Sequence, residues 1–248
     1  MIARVLLGLG LLLCAADARA VREQYGPFVP GEQPRPFPLI KLTAVPNASD
    51  GPAPPRCDEF VHRAEKVTAL KVDWTADRTA GVTLSCNGSK LFSGPLKGGS
   101  PAVGSDAYTA DLNSDGFSDY VLFTYSGGCG LAGEITWVTF LLSSSTGYRS
   151  TGVLSYAAEP SDFIAIKDRA CLVHTSFVYG PAGKDGRQHN YWVYNLLSFS
   201  GTELVLANDL DSGFPKWVLF SFAPNHRDTD QLTAAQRRLS LKQILEAE

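Results

Sequence analysis

Short apolar and β-branched runs, separated by polar turns, make up most of the chain after residue 56. They predict strands at 67–74, 81–85, 120–125, 135–142, 172–179, 191–199 and 217–222. Several runs, such as residues 137–142, are apolar on both faces, which indicates a sheet covered on both sides. No helical period alternates with these runs. The pattern predicts a mainly β domain over residues 57–225, built as an antiparallel sandwich, a barrel or a partial propeller-like sheet.

The two flanking segments differ from this strand pattern. Residues 21–56 are rich in proline and alternate poorly, which predicts an extended N-terminal arm or linker. Residues 226–248 carry an apolar stripe at helical spacing and two capping-box patterns, which begin at Thr233 and Ser240. This end of the chain therefore predicts a short C-terminal helical segment that packs on the sheet.

The first 20 residues have the pattern of a secretory signal peptide. Arg4 supplies the positive start, an apolar run follows, and Ala18-Arg19-Ala20 fits a cleavage site after Ala20. The apolar run is too short to span a bilayer, and no later segment is long enough. The pattern predicts a periplasmic or secreted protein without a transmembrane segment. The alternative is a lipoprotein modified at Cys14.

The charge balance argues against one class of partner. The formal net charge is −3, and removal of the signal peptide takes away two basic residues and one acidic residue, which brings it to −4. A mildly acidic chain without a basic run predicts no nucleic-acid partner. Nothing in the pattern sets an oligomeric state.

Four cysteines follow the signal peptide: Cys57, Cys86, Cys129 and Cys171. An even number in an exported protein predicts two disulfides, and four cysteines allow three pairings. We favour Cys57 with Cys86 and Cys129 with Cys171, because each pair joins neighbouring segments. Cys129 also lies in a glycine-rich stretch, where a cysteine could act as a nucleophile, but no histidine partner motif accompanies it.

Residues 111–119 form the densest group of candidate ligands and read D-x-N-x-D-G-x-x-D. The five predicted ligands are Asp111, Asn113, Asp115, the Phe117 carbonyl and Asp119. Gly116 lets the backbone turn so that position 7 presents its carbonyl. Ca²⁺ takes about six to eight oxygens, and three carboxylates this close together repel one another without a cation. The sequence therefore predicts a bound Ca²⁺ ion.

This loop differs from an EF-hand, because position 12 is Leu122 where that motif needs a glutamate. Strand-like residues flank the loop on both sides. Over residues 107–125 the chain resembles the FG-GAP/VCBS type of calcium loop found in integrin propellers and in exported bacterial proteins. The resemblance implies an extracellular or periplasmic protein with a calcium ion in this loop. Proteins of that type carry several copies, and this chain has one good copy.

Aromatic clusters supply a candidate binding surface, made of Tyr191, Trp192, Tyr194 and Trp217. Such rings could line a carbohydrate or peptide groove, or could form the core of a sheet. No zinc spacing, nucleophile elbow or phosphate-binding loop is present, so no catalytic residue is assigned.

These observations predict an exported, calcium-binding, non-catalytic β-rich protein that binds a protein or a glycan. An immunity or inhibitor protein of the cell envelope is one concrete version. The alternative is a secreted hydrolase with a structural calcium ion, in which carboxylates or His174 and His189 act as acid and base near the loop.

Overall fold

The computed structural model describes residues 26–28, 34–46, 56–63, 67–75, 79–96, 98–100, 103–128, 133–180 and 186–220. These residues form fifteen strands and two short 3-10 helices, so the prediction of a mainly β fold is confirmed. The strands are β1 Ile40–Lys41, β2 Thr43–Val45, β3 Arg56–Arg63, β4 Val67–Trp74, β5 Ala80–Cys86, β6 Ser89–Leu96, β7 Ser105–Ala110, β8 Asp119–Tyr125, β9 Ile135–Leu142, β10 Arg149–Tyr156, β11 Phe163–Ile166, β12 Arg169–Val178, β13 Asn190–Ser200, β14 Glu203–Leu206 and β15 Lys216–Phe220. The predicted signal peptide and C-terminal helical segment lie outside the described residues.

The strands form three antiparallel sheets of five strands each. The N-terminal sheet has the order β2-β3-β4-β5-β6, and the central sheet has the order β1-β7-β8-β9-β10. The C-terminal sheet has the order β11-β12-β13-β14, and β15 also pairs with β13. Strands that follow one another in the chain are mostly neighbours, because short turns join antiparallel strands.

The central sheet lies between the other two sheets. Successive residues of a strand point to opposite faces, so β8 contributes to two cores. Leu122 packs in a core with Leu84 of the N-terminal sheet, whereas Phe123 packs in a core with Leu172 of the C-terminal sheet. The prediction of strands covered on both faces is therefore confirmed for β8.

Residues 35–45 form an extended arm that contacts all three sheets. The Phe37 amide donates to the Phe163 carbonyl at 2.8 Å, and the Leu42 amide donates to the Ala107 carbonyl at 2.9 Å. In addition, β1 pairs with β7 and β2 pairs with β3. This part of the proline-rich segment thus adds a short strand to the central and N-terminal sheets and an isolated bridge, between Pro36 and Ile164, to the C-terminal sheet.

The predicted disulfide between Cys57 and Cys86 is wrong. Cys57 of β3 lies opposite Asp73, and Cys86 of β5 lies opposite Thr68, five residues away along β4. That offset corresponds to about 16 Å at about 3.3 Å per residue, whereas bonded cysteines have Cα atoms less than about 7 Å apart. The two segments are neighbours, but their cysteines lie at opposite ends of the ladder. Burial raises the pKa of the Cys57 thiol to about 11.

The second predicted pairing involves Cys129, which lies outside the described residues, as does its alternative role as a nucleophile. Cys171 is a fully buried thiol in β12, and this burial raises its pKa. Within the described ranges, no two cysteines lie at bonding distance.

Candidate functional site

The predicted calcium loop joins β7 to β8 at one end of the central sheet. Ala110 pairs with Asp119, so Asp119 is both the last residue of the motif and the first residue of β8. Gly116 has a φ of +84°, which glycine reaches without the steric cost that other residues meet. The loop therefore turns sharply at the position where the motif has its glycine.

Side chains at alternate positions turn toward the backbone of the loop. The Asp115 amide lies 3.1 Å from Asp111 Oδ1 and 3.2 Å from Asn113 Oδ1. The Gly116 amide donates to Asp111 Oδ2 at 3.0 Å, and the Phe117 amide donates to Asp115 Oδ1 at 2.9 Å. Two oxygens that share one amide must lie close together. The loop thus brings one oxygen of Asp111 and one of Asn113 together at the Asp115 amide, while the Asp115 carboxylate faces the Phe117 amide.

Asp119 lies fully buried beneath the loop. Its Oδ2 accepts hydrogen bonds from the Leu112 amide at 2.7 Å and from the Asn113 amide at 3.2 Å. Its Oδ1 accepts from the amide and the hydroxyl of Ser143, both at 2.7 Å. Burial raises the pKa of this carboxyl, and the hydrogen bonds counteract that effect. These four donors occupy the lone-pair positions of the carboxylate, so Asp119 anchors the loop to β9.

The Ser143 hydroxyl also brings a second carboxylate to Asp119. Its Oγ lies 3.1 Å from Asp115 Oδ1 and 3.0 Å from Asp115 Oδ2, besides its contact with Asp119. A hydroxyl has one proton and therefore donates to one of these acceptors at a time. When the hydroxyl donates to Asp119, Asp115 keeps its hydrogen bonds from the Phe117 amide and from Asn113 Nδ2.

The loop also connects the central sheet to the C-terminal sheet. Asn113 Nδ2 donates to the carbonyl of Ser143, directly after β9, at 3.0 Å. The same group donates to the carbonyl of Gly201, in the turn between β13 and β14, at 3.2 Å. A cavity of about 470 Å³ lies beside this contact, and its lining includes Leu112, Asn113, Arg169, Leu206 and Asp209.

The donor set suits a hard cation in its chemistry, since carboxylate, amide and carbonyl oxygens are the ligands that Ca²⁺ prefers. Within the described ranges, however, no three Asp, Glu, His or Cys side chains form a group that could hold a metal ion. The structure brings Asp115 and Asp119 together at one hydroxyl, and Asp111 does not complete a cluster of three carboxylates with them. The calcium site stays a prediction.

The predicted aromatic binding surface is wrong. The exposed fractions of Tyr191, Trp192, Tyr194 and Trp217 are 0%, 2%, 5% and 3%. The first three belong to β13, which has β12 on one edge and β14 and β15 on the other. Its rings pack against other rings, as in the pair of Trp192 and Phe177 with centroids 4.6 Å apart. These aromatic residues are core.

The two histidines of the hydrolase hypothesis do not come together. His174 is fully buried, and its Nε2 lies 2.8 Å from the Leu154 carbonyl oxygen. It lies opposite Asn195 in the ladder, and His189 precedes Asn195 by six residues. Six residues of extended chain span about 20 Å. The prediction that His174 and His189 act together as acid and base is therefore wrong.

A second groove, of about 590 Å³, lies between the N-terminal and central sheets, and the sequence analysis missed it. Its walls are β6 on one side and β9 and β10 on the other, with the rings of Phe92, Trp137 and Tyr148 in its lining. Neither β6 nor β10 was predicted as a strand. Glycine inside a strand often marks a bulge or a site of close approach. Gly94 and Gly152 are therefore the sequence features from which this groove could have been predicted.

No helix among the described residues has the length and apolar character needed to cross a membrane. Neither a protein-family model, nor a curated protein, nor a solved structure matches this chain. The similarity to FG-GAP/VCBS calcium loops therefore rests on residues 107–125 alone.

Proposed function

We propose that this chain is an exported, non-catalytic binding protein whose β-sheet scaffold is stabilised by one Ca²⁺ ion in the loop of residues 111–119. Its partner is a protein or a glycan of the cell envelope or exterior. One observation carries this proposal: the loop brings oxygens of Asp111 and Asn113 together where the central sheet meets the C-terminal sheet. Export follows from the signal-peptide pattern of residues 1–20.

The proposed ligands are the side chains of Asp111, Asn113 and Asp115 and the carbonyl of Phe117. Asp119 would join them through Oδ1 once the Ser143 hydroxyl turns away. Support comes from the Ser143 hydroxyl, since Asp115 and Asp119 share its one proton and a cation could take its place beside both carboxylates. Since the carboxylates are not assembled in advance, we expect the affinity typical of extracellular modules, a dissociation constant of about 10⁻⁴–10⁻³ M.

In this proposal, the calcium ion stabilises the folded protein. An ion that binds only the folded state, at ten times its dissociation constant, adds about 1.4 kcal/mol to the free energy of unfolding. The loop contacts Gly201 of the C-terminal sheet through Asn113, so the ion would stiffen the junction of two sheets. A rigid junction keeps the neighbouring grooves in one shape, which favours binding because less conformational freedom is lost.

The hydrolase alternative receives no support from the described residues. The carboxyl with a shifted pKa is that of Asp119, which is fully buried and faces backbone amides. His174 is equally buried. A catalytic acid or base must reach the proton that it transfers, within about 3 Å or through one water molecule.

A calcium titration of thermal unfolding tests the proposal on the mature chain. We expect the melting temperature to rise by about 3–6 °C at ten times the dissociation constant, measured against EGTA. Asp111→Asn removes one charge and one ligand and should abolish most of the rise. Glu203→Gln, an exposed acidic residue on β14, is the matched control and should leave the rise unchanged. No rise at 10 mM calcium, or an equal rise in Asp111→Asn, would contradict the proposal.

A further inference from the structure

The groove between the N-terminal and central sheets lies at one edge of this pair of sheets. At the other edge, the arm of residues 35–45 supplies β1 to the central sheet and β2 to the N-terminal sheet. β6 and β10 are the last strands of their sheets on the groove side, and both contribute to the lining. An elongated ligand can therefore enter this groove from the side of the two sheets.

Two glycines keep the groove open. In the middle of the interface Leu84 and Leu122 fill the space between the sheets. Nearer the edge the lining includes Gly94 of β6 and Gly152 of β10. A Cβ atom on Gly94 would lie 2.9 Å from the Phe92 ring, so this ring lies against the backbone of β6. At both glycines a larger side chain would take up space that a ligand can use.

The strand register decides which side chains point into the groove. Ser150 pairs with Leu141, which belongs to the core between the N-terminal and central sheets, so the Ser150 side chain points into the groove. Arg149 pairs with Leu142, which belongs to the opposite core, so the guanidinium lies on the other face of the central sheet. The same alternation turns Thr151 away from the groove.

The side chains that face the groove are aromatic rings and hydroxyl groups. On β6, Phe92 pairs with Leu84 and points inward, whereas the Ser93 hydroxyl lies 3.3 Å from the Thr83 hydroxyl on the outer face of the N-terminal sheet. The described side chains on the groove side are Phe92, Trp137, Thr139, Tyr148 and Ser150. None of them carries a charge.

Two of the rings are held in place by the protein. A Cβ atom on Gly98 would overlap the Trp137 ring, so the backbone at Gly98 packs closely against the indole. The Tyr148 ring centroid lies 5.9 Å from that of Tyr120, and the Tyr148 hydroxyl donates to the Ser118 carbonyl at 3.0 Å. Rings that are already fixed lose little conformational freedom when a ligand binds.

We propose that this groove binds a neutral oligosaccharide. The apolar face of a sugar ring stacks on Phe92, Trp137 or Tyr148, because aromatic faces offer rigid apolar area. The sugar hydroxyls exchange hydrogen bonds with the Ser150 hydroxyl. A buried charge without a partner is costly, and no facing side chain would pair with one, so the ligand is uncharged. This inference rests on the proposed role as a binding protein and names its ligand class. It does not require the calcium ion.

A peptide strand fits the groove less well. β6 carries Pro95, which cannot donate to a ladder, and its pairing with β5 shifts register between Leu84 and Ser85. The outer edge of β10 is partly covered, since the Thr175 amide of the C-terminal sheet donates to Ser155 Oγ at 3.0 Å. Strand addition needs a regular, open edge, and neither strand provides one.

Tryptophan fluorescence of the mature protein tests this proposal. Trp137 is half-buried in the groove lining, whereas the other three tryptophans, Trp74, Trp192 and Trp217, are buried. The probes are cellotetraose, maltotetraose, mannotetraose and N-acetylchitotetraose, each titrated to about 10 mM in EGTA and in calcium. Trigalacturonate and a neutral tetrapeptide are titrated for comparison. We expect at least one neutral tetrasaccharide to change the emission in both buffers.

Two pairs of variants locate the binding. Phe92→Ala should weaken it about tenfold, and Leu91→Ala, the exposed neighbour on β6, should leave it unchanged. Ser150→Ala should weaken it about threefold or more, through the lost hydrogen bond. Thr151→Val removes the adjacent hydroxyl from the other face and should have no effect. Since Ser150 is exposed, the second pair gives an answer even if Phe92→Ala does not fold.

Three outcomes would overturn the inference. These are no response to any neutral tetrasaccharide, binding that neither Phe92→Ala nor Ser150→Ala weakens, or tighter binding of trigalacturonate or the tetrapeptide than of every neutral saccharide. The calcium melt separates this result from the proposed function. If calcium still stabilises the protein while no saccharide binds, the groove assignment falls and the calcium proposal stands.

Discussion

Among single residues, Asp119 does the most to shape the candidate site. Asp119 is fully buried, and its two carboxylate oxygens accept four hydrogen bonds. A substitution that removes one of these oxygens leaves buried donors without a partner. Asp111, at the other end of the same loop, is exposed, so water can replace its partners. The two aspartates of one motif therefore differ in role: Asp119 sets the shape of the loop, and Asp111 offers oxygens to a cation.

Asp119→Asn tests this difference. The amide NH₂ would face either the Leu112 and Asn113 amides or the Ser143 donors, and each buried unpaired donor costs about 1–3 kcal/mol. We expect the free energy of unfolding to fall by about 2–4 kcal/mol in EGTA, measured by urea denaturation. Asp111→Asn should lower it by less than about 1 kcal/mol in EGTA. Equal losses for the two variants would refute the anchoring role of Asp119.

Among the elements, the arm of residues 35–45 connects the three sheets. Phe37 and Leu39 are partly buried against the core between the central and C-terminal sheets. Leu42 is only 2% exposed and lies in the core between the N-terminal and central sheets. Ile40, two residues earlier, is 56% exposed. The side chain at position 42, together with backbone pairing on either side, holds the arm in place.

Leu42→Ala measures how firmly the arm is integrated. Truncation of a buried leucine to alanine typically costs about 2–5 kcal/mol, and we expect a loss in that range from urea denaturation. Ile40→Ala is the matched control, since it removes a similar side chain from the same arm, and it should cost less than about 1 kcal/mol. A small loss for Leu42→Ala would mean that the arm is a loosely attached linker.

The elements also show which parts of the structure could be predicted from sequence. β4, β8, β9 and β13 are long apolar strands, and their predicted positions agree with the structure to within one or two residues. β3, β6 and β10 went unpredicted, because their charged residues, glycines and proline interrupt the β-branched pattern, and β6 and β10 are also half-exposed edge strands. The groove is lined by two of these strands together with β9, so it was missed along with them. The aromatic residues of β13 were foreseen as a surface because sequence does not reveal how many neighbours a strand has.

The calcium motif illustrates the same limit within the site. Spacing alone correctly identified a turn with a glycine in the left-handed region at Gly116. It could not show that Asp119 accepts hydrogen bonds from Ser143, because Ser143 lies directly after β9, 24 residues later in the chain. Contacts between distant segments decide which motif oxygens remain available to an ion.

In the whole molecule, the central sheet is the structural link between two cores. Its residues alternate between the core shared with the N-terminal sheet and the core shared with the C-terminal sheet. The buried residues of the N-terminal sheet pack in a core that the central sheet completes, whereas the C-terminal sheet also has a second buried cluster that includes Val173 and Trp192. Unfolding of the central sheet must therefore expose both cores, which favours one cooperative transition over separate melting of each sheet.

Two core variants on opposite sides of the central sheet test this cooperativity. Leu84→Ala lies in the N-terminal core and Leu172→Ala in the C-terminal core, and each residue is fully buried. Each variant should lower the free energy of unfolding by about 2–5 kcal/mol. Leu91→Ala, at a residue that is 44% exposed on β6, is the control and should cost less than about 1 kcal/mol.

The decisive measurement is hydrogen exchange by mass spectrometry across a urea series, followed on peptides from each sheet. In a cooperative molecule, Leu172→Ala lowers the urea midpoint of peptides from β4 and β5 as much as that of peptides from β12, although β4 and β5 do not contact the mutated residue. If the N-terminal sheet kept its original midpoint, the sheets would be independent units. The proposed calcium ion, at the junction of the central and C-terminal sheets, would then stabilise only those two sheets. In the cooperative case it raises the midpoint of all three.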